Sequence, residues 1–181
     1  MKKILVLISL IIAITLSSRD ALAVEKQAVV SAKLLTFENS QKSNGLDMRG
    51  VAIEHIFKKY NSPLVGLGNT YVKYADKYGV DWKLLPSISG LESSFGIHLM
   101  PESYNGYGWG GGYIYFESWE DGIDTINKTL RANYMDKWGA KDVWSIGPIY
   151  AESKTWSVRV NHFMEEIEAE YEKILSVTPT I

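Results

Sequence analysis

A glutamate at the end of an apolar helical run is the position in this sequence best suited to acid chemistry. Leu84, Leu85, Ile88 and Leu91 precede Glu92 at helical spacing, and the run stops just after it. A carboxyl walled by apolar groups has its charged form disfavoured, which is how a general acid is made to work near neutral pH. The plain alternative is a glutamate exposed at a helix end. The stretch that follows bears on the choice: Tyr104, Tyr107, Trp109, Tyr113, Tyr115 and Phe116 alternate with Gly106, Gly108, Gly110, Gly111 and Gly112. Glycines let backbone and rings come close to a ligand. Tyrosine and tryptophan offer a ring to the apolar face of a sugar and a polar tip to its hydroxyls. Carboxylate, aromatic platform and open groove together are the make-up of a glycan-cleaving site, although aromatic-rich loops also pack as satellite cores. Hydrolysis at such a site normally takes a second carboxylate. Glu117 is the first candidate and Glu102 the next, because Asp121 reads as a helix cap and Glu120 as a solvated helix residue.

The elements that must hold these residues are mainly helices. Val51, Ile56, Phe57 and Tyr60 form a short amphipathic face. Ser62-Pro63 reads as an N-cap followed by proline at the first helical position, opening a helix with Leu64, Leu67, Tyr71, Val72, Ala75 and Tyr78 on one side and Gly79 as its stop. Asp81 caps the next helix, Trp82 to about Ser93, with Pro86 one turn in. After Phe95 the periodicity fades into the glycine-rich loop, and Tyr113 to Glu117, rich in β-formers, predicts a short hairpin or strand. Ser118 and Asp121 form a capping-box signature for a helix carrying Trp119, Ile123, Ile126, Leu130 and Tyr134. A short helix is expected from Asp142 to Ala151. A long one from about Thr155 aligns Trp156, Val160, Phe163, Ile167, Tyr171 and Ile174. On that last helix Glu165, Glu166, Glu168, Glu170 and Glu172 read as an acidic, solvated face. His55 beside Glu54 reads as surface or core.

Composition narrows the function classes. The chain of 181 residues has no cysteine, which excludes a disulfide scaffold, a thiol nucleophile and a cysteine-based zinc site. Its three histidines, His55, His98 and His162, lie far apart, so no metal site is expected and no cofactor is implied. Lys2 and Lys3, the apolar run Ile4 to Leu16 and the small residues of Ala21-Leu22-Ala23 have the pattern of a signal peptide cut after Ala23. That run is shorter than the roughly 20 residues a membrane span needs. An exported protein is therefore expected, periplasmic or extracellular, with residues 1–23 as leader, 24–48 as tether or variable segment and 49–177 as the domain. Losing the leader removes Lys2, Lys3 and Arg19 against Asp20 alone, so a chain already at −2 becomes more acidic. That argues against nucleic acid as a partner. A monomer is expected.

Glu92-Ser93-Ser94-Phe95-Gly96 resembles the E-S-x-x-G segment of the lysozyme-like superfamily, which includes lytic transglycosylases and bacterial endo-β-N-acetylglucosaminidases. Tyr104-Asn105-Gly106-Tyr107-Gly108-Trp109 is similar to the S-x-N-x-F-G type segment of the glucosaminidase branch. Ser118 to Ile123 resembles that branch's entry into its next helix, and Tyr150-Ala151 followed by Trp156 its Y-A-x-x-x-x-(W/Y) segment. The resemblance runs from about Ile53 to Ile167. It implies an α+β lysozyme-like fold and cleavage of peptidoglycan glycan strands at an N-acetylglucosaminyl linkage. Glu92 would protonate the leaving oxygen, and Tyr150 would orient that acid or stabilise the oxocarbenium-like transition state. Ser93, Tyr104, Asn105, Tyr107, Trp109, Tyr113 and Trp156 would line the substrate groove. The G-x-x-G-L-M-Q segment of a typical lytic transglycosylase is missing, which favours the hydrolase. A transglycosylase forming 1,6-anhydro ends, a non-catalytic glycan-binding protein, and a module docking a cell-wall machine through its acidic last helix are the other readings.

Overall fold

Asp47 starts the first helix by accepting the Arg49 N–H on its carboxylate (2.9 Å). The computed structural model describes residues 47–177. The expected leader and the segment up to residue 46 lie outside the described residues. Six α-helices and one π-helical segment follow in order: α1 Met48–Lys59, α2 Gly68–Tyr78, α3 Leu84–Ser93, α4 Trp119–Thr129, the π segment Leu130–Lys137, α5 Val143–Tyr150 and α6 Trp156–Val177. The described chain is mainly helical. None of its helices is long and apolar enough to cross a membrane.

The helix expected from Ser62-Pro63 begins only at Gly68. Ser62 is buried and caps a turn, accepting the Leu64 N–H at 3.0 Å, while the Gly66 and Gly68 amides are held by the Glu54 carboxylate at 2.6–3.0 Å. Glu54 therefore serves as a cap for α2 reached from α1. Gly79 closes α2 in the left-handed conformation (φ 63°), as its position predicts. Arg49 forks onto Asp76 with two bonds of 2.8 Å, tying α1 to α2.

Helix α3 is the buried centre. Every residue from Leu84 to Gly90 is buried, and the helix packs against α6. Its end is abrupt. Ser94, Phe95 and Gly96 all take positive φ (51°, 57° and 83°), which folds the Phe95 ring back under the helix. That ring packs edge-on against Phe57 (5.9 Å) and Phe163 (5.1 Å). Any β-carbon on Gly90 would stand 2.7 Å from it. The turn thus leaves Glu92 and Ser93 at a rigid helix end.

Two expectations need correction. Residues 113–117 form no strand, and there is none among the described residues. Phe116 makes one backbone bond, its N–H to the Ser103 carbonyl, and the Ile114 carbonyl is taken by the Asn105 side chain, so no ladder develops. The acidic side of α6 is also more than a solvated face. Glu166 accepts from Lys59 (2.8 Å) and Tyr60 (2.9 Å), Glu170 meets His55 (2.8 Å), and Glu168 meets Lys83. These carboxylates fasten α6 to α1 and to the entrance of α3.

Candidate active site

Four parts of the chain converge on the Glu92 carboxylate. The end of α3 supplies Glu92, the start of α6 supplies Trp156, the end of α5 supplies Tyr150, and the glycine-rich loop supplies Gly108 and Trp109. Glu92 is exposed, so the apolar walls expected around it are absent from its carboxylate. The reason is its place two residues before the helix cap, Ser94, on the solvent side of a helix whose other faces are buried. Trp156 is 2% exposed and donates its indole N–H to Glu92 Oε1 at 2.8 Å. On the other side a β-carbon at Gly108 would stand 2.7 Å from Glu92 Oε2. Gly108 sits at φ 65°, where a side chain would be strained as well as in the way. One carboxylate oxygen is therefore held by a donor, and the other faces bare backbone.

Tyr150 stacks on Trp156 with ring centroids 4.7 Å apart and planes at 26°. Its hydroxyl donates to the Tyr107 carbonyl (2.7 Å), which ties α5 to the loop. Burial first, then the negative charge of Glu92, then Tyr134 push its ionisation well above the usual tyrosine range. It is a neutral hydroxyl beside the Glu92 carboxylate.

The other expected groove residues divide sharply. Ser93 is buried; its hydroxyl donates to the Gly106 carbonyl (2.7 Å) and accepts the Gly96 N–H (2.8 Å). Asn105 is buried and staples the loop, donating to the carbonyls of Trp109 (2.8 Å) and Ile114 (2.9 Å) and accepting the Trp109 N–H (3.0 Å). Tyr107 is fully buried with its hydroxyl 2.8 Å from that of Tyr71. These three side chains fasten the loop from inside and do not line an open groove. Of the rings in this glycine-rich stretch, which suggested a platform facing a ligand, Tyr107 and Phe116 turn into the core instead, while Tyr113 and Tyr115 stay exposed. Tyr104 is partly buried, edge-on to Trp119 at 5.5 Å. Tyr113 is 76% exposed at the loop tip. Glu117 is exposed, and its amide donates to the Asp121 carboxylate (3.1 Å) at the start of α4; no hydrogen bond joins it to the Glu92 group.

Two residues join the site from an unexpected place. Tyr134, on the π segment, contacts both Trp109 (6.3 Å) and Tyr150 (6.0 Å), and Trp138 stands edge-on to Tyr134 at 5.2 Å. Tyr134 sits on the apolar stripe of α4 in sequence and reads there as core. Trp138 belongs to no periodic pattern, and only its aromatic character beside Gly139 could have flagged it. A cleft of about 620 Å³ lies elsewhere, between Lys83, Arg131, Trp144 and Met164, and none of the Glu92 group lines it. Among the described residues no cluster of three or more His, Asp or Glu could hold a metal ion. Compared with family models, with curated proteins and with solved structures, the chain matches none.

Proposed function

We propose that this protein is an exported, lysozyme-like enzyme that hydrolyses the glycan strands of peptidoglycan at an N-acetylglucosaminyl linkage, with Glu92 as general acid. The observation that carries the reading is the seat of Glu92. Its carboxylate is open to a ligand, Oε1 is occupied by the Trp156 N–H, and aromatic rings lead away from it. A donor on Oε1 directs the acidic proton to Oε2. From there it passes to the glycosidic oxygen as the bond to the anomeric carbon breaks, and water then adds to that carbon. Tyr150 supports the acid by stacking on the tryptophan that holds it. Its hydroxyl, donated to the Tyr107 carbonyl, keeps the loop against α5. Glu117 is the candidate to activate water, and Glu102 the next. The ties that commit Glu166, Glu168 and Glu170 to α1 and α3 speak against a docking role for the acidic last helix.

Digestion of purified peptidoglycan by wild type and by Glu92→Gln, read by mass spectrometry, tests the proposal. Fragments with reducing N-acetylglucosamine ends, lost in Glu92→Gln, are expected. Anhydro-muramyl ends, one water lighter, would make the enzyme a transglycosylase that needs no second carboxylate. No release by wild type would leave a glycan-binding protein, and full activity in Glu92→Gln would remove Glu92 from the reaction.

A further inference from the structure

From the row of rings that runs outward from Glu92 over the π segment, we infer that Tyr134 and Trp138 form a distal sugar-binding subsite, so that the enzyme grips a strand several sugars away from the bond it breaks. This inference rests on the glycan-cleaving reading of Glu92. The row is continuous: Trp156 to Tyr150 is 4.7 Å, Tyr150 to Trp109 is 5.7 Å, Trp109 to Tyr134 is 6.3 Å and Tyr134 to Trp138 is 5.2 Å. Exposure rises along it, from 2% at Trp156 to 49% at Trp138.

The polar tips change along the row in the same direction. At the Glu92 end they are consumed internally, Trp156 N–H by Glu92 and Tyr150 O–H by Tyr107. Farther out, the indole N–H groups of Trp109 and Trp138 and the hydroxyl of Tyr134 have no hydrogen-bond partner among the described residues. Half-buried rings with free donors suit a ligand that brings flat apolar faces together with hydroxyl and carbonyl acceptors, which is the chemistry of an N-acetylated sugar.

The backbone gives a reason for this placement. Leu130–Lys137 winds as a π-helix, closed by the Trp138 N–H on the Asn133 carbonyl at 3.0 Å. Such turns are rare and are frequent at functional sites, where they re-aim side chains out of the α-helical register. Here the π segment carries Tyr134 onto Trp109 and Tyr150 and leaves Trp138 at the open end.

The test uses Glu92→Gln as the parent, to prevent turnover, with oligosaccharides of alternating N-acetylglucosamine and N-acetylmuramic acid, two and six rings long, by calorimetry. The parent is expected to bind the six-ring probe more tightly than the two-ring one. Adding Trp138→Ala is expected to cost the six-ring probe about tenfold in affinity and to leave the two-ring probe unchanged, while Trp138→Phe keeps most of the gain. Equal six-ring affinity with and without Trp138 would overturn the subsite and leave the Glu92 reading standing. Failure of the parent to bind either probe, with no release of fragments by wild type, would overturn both.

Discussion

Replacing Gly108 with alanine isolates what the loop does for the carboxylate. The new β-carbon would lie 2.7 Å from Glu92 Oε2, 3.2 Å from Cδ and 3.5 Å from Cγ, and real β-carbons essentially never come closer than 3.0 Å to another heavy atom. The group in the way is the far end of a flexible side chain, so the fold survives and the carboxylate swings aside, weakening its 2.8 Å bond from Trp156. Alanine at φ 65° adds about 1–2 kcal/mol of backbone strain, or roughly 3–6 °C in melting temperature for a domain of this size. A displacement of the acid on the order of 1 Å is expected to lower turnover of peptidoglycan about 100-fold. Gly111→Ala is the matched control: its φ is 66°, and the nearest atom to its β-carbon is Tyr113 Cδ2 at 3.6 Å, an ordinary contact. Both variants should lose similar stability, measured by thermal melts. Only Gly108→Ala should lose most of its fragment release. Equal losses of activity would mean that loop backbone, and not the seat of the carboxylate, is what matters. Full activity in Gly108→Ala would refute the argument that the position of Glu92 controls the reaction.

Asn105→Ala removes three hydrogen bonds and strands the amide of Trp109 and two carbonyls; a loss of about 3 kcal/mol is expected in denaturant melts, with faster proteolysis inside residues 106–115. Alkali should destabilise the protein, because burial raises the ionisation of Tyr71, Tyr107 and Tyr150 in the folded state. Their contribution is intact below about pH 10, the unfolded value, and falls as pH rises further, by about 1.4 kcal/mol per pH unit for each tyrosine. Denaturant midpoints measured from pH 8 to 11.5 should bend downward above pH 10, and less steeply in a Tyr71→Phe, Tyr107→Phe double variant.

Much of the helical frame is legible because its signals are local. Ser118 caps α4 through the Asp121 amide, Asp142 caps α5 in a reciprocal box with Ser145, and Gly79 ends α2. What is not legible depends on partners far away in sequence. The late start of α2 follows from Glu54 taking two loop amides, and the missing hairpin from Asn105 taking a carbonyl that a strand would have used. The site divides along the same line. That Glu92, Tyr150, Trp109 and Trp156 belong together is what the resemblance to the lysozyme-like superfamily implies; residue type and spacing alone do not join Tyr150 and Trp156 to Glu92. That Ser93, Asn105 and Tyr107 turn inward is not readable, because a polar or aromatic loop residue looks the same whether it meets a ligand or a backbone carbonyl. The π segment hides most completely, since Leu130 and Tyr134 continue the α4 stripe at ordinary helical spacing.

The exposure of Glu92 has a consequence for how such a site would work. A carboxyl that is to give up its proton to a glycosidic oxygen needs water kept away, and the free protein leaves this one open. The groups beside it are held in place: Trp156, Tyr150 and Tyr107 by ring contacts and hydrogen bonds, and the turn at Ser94 to Gly96 by the buried Phe95. Under the proposed function, a sugar lying across Gly108 and Trp109 above the carboxylate would supply that cover. Contacts made farther along the row, on Tyr134 and Trp138, would hold that sugar down. Binding energy from remote sugars would in this way be used at the reacting bond, and under the proposed function a strand would be a better substrate than an isolated disaccharide.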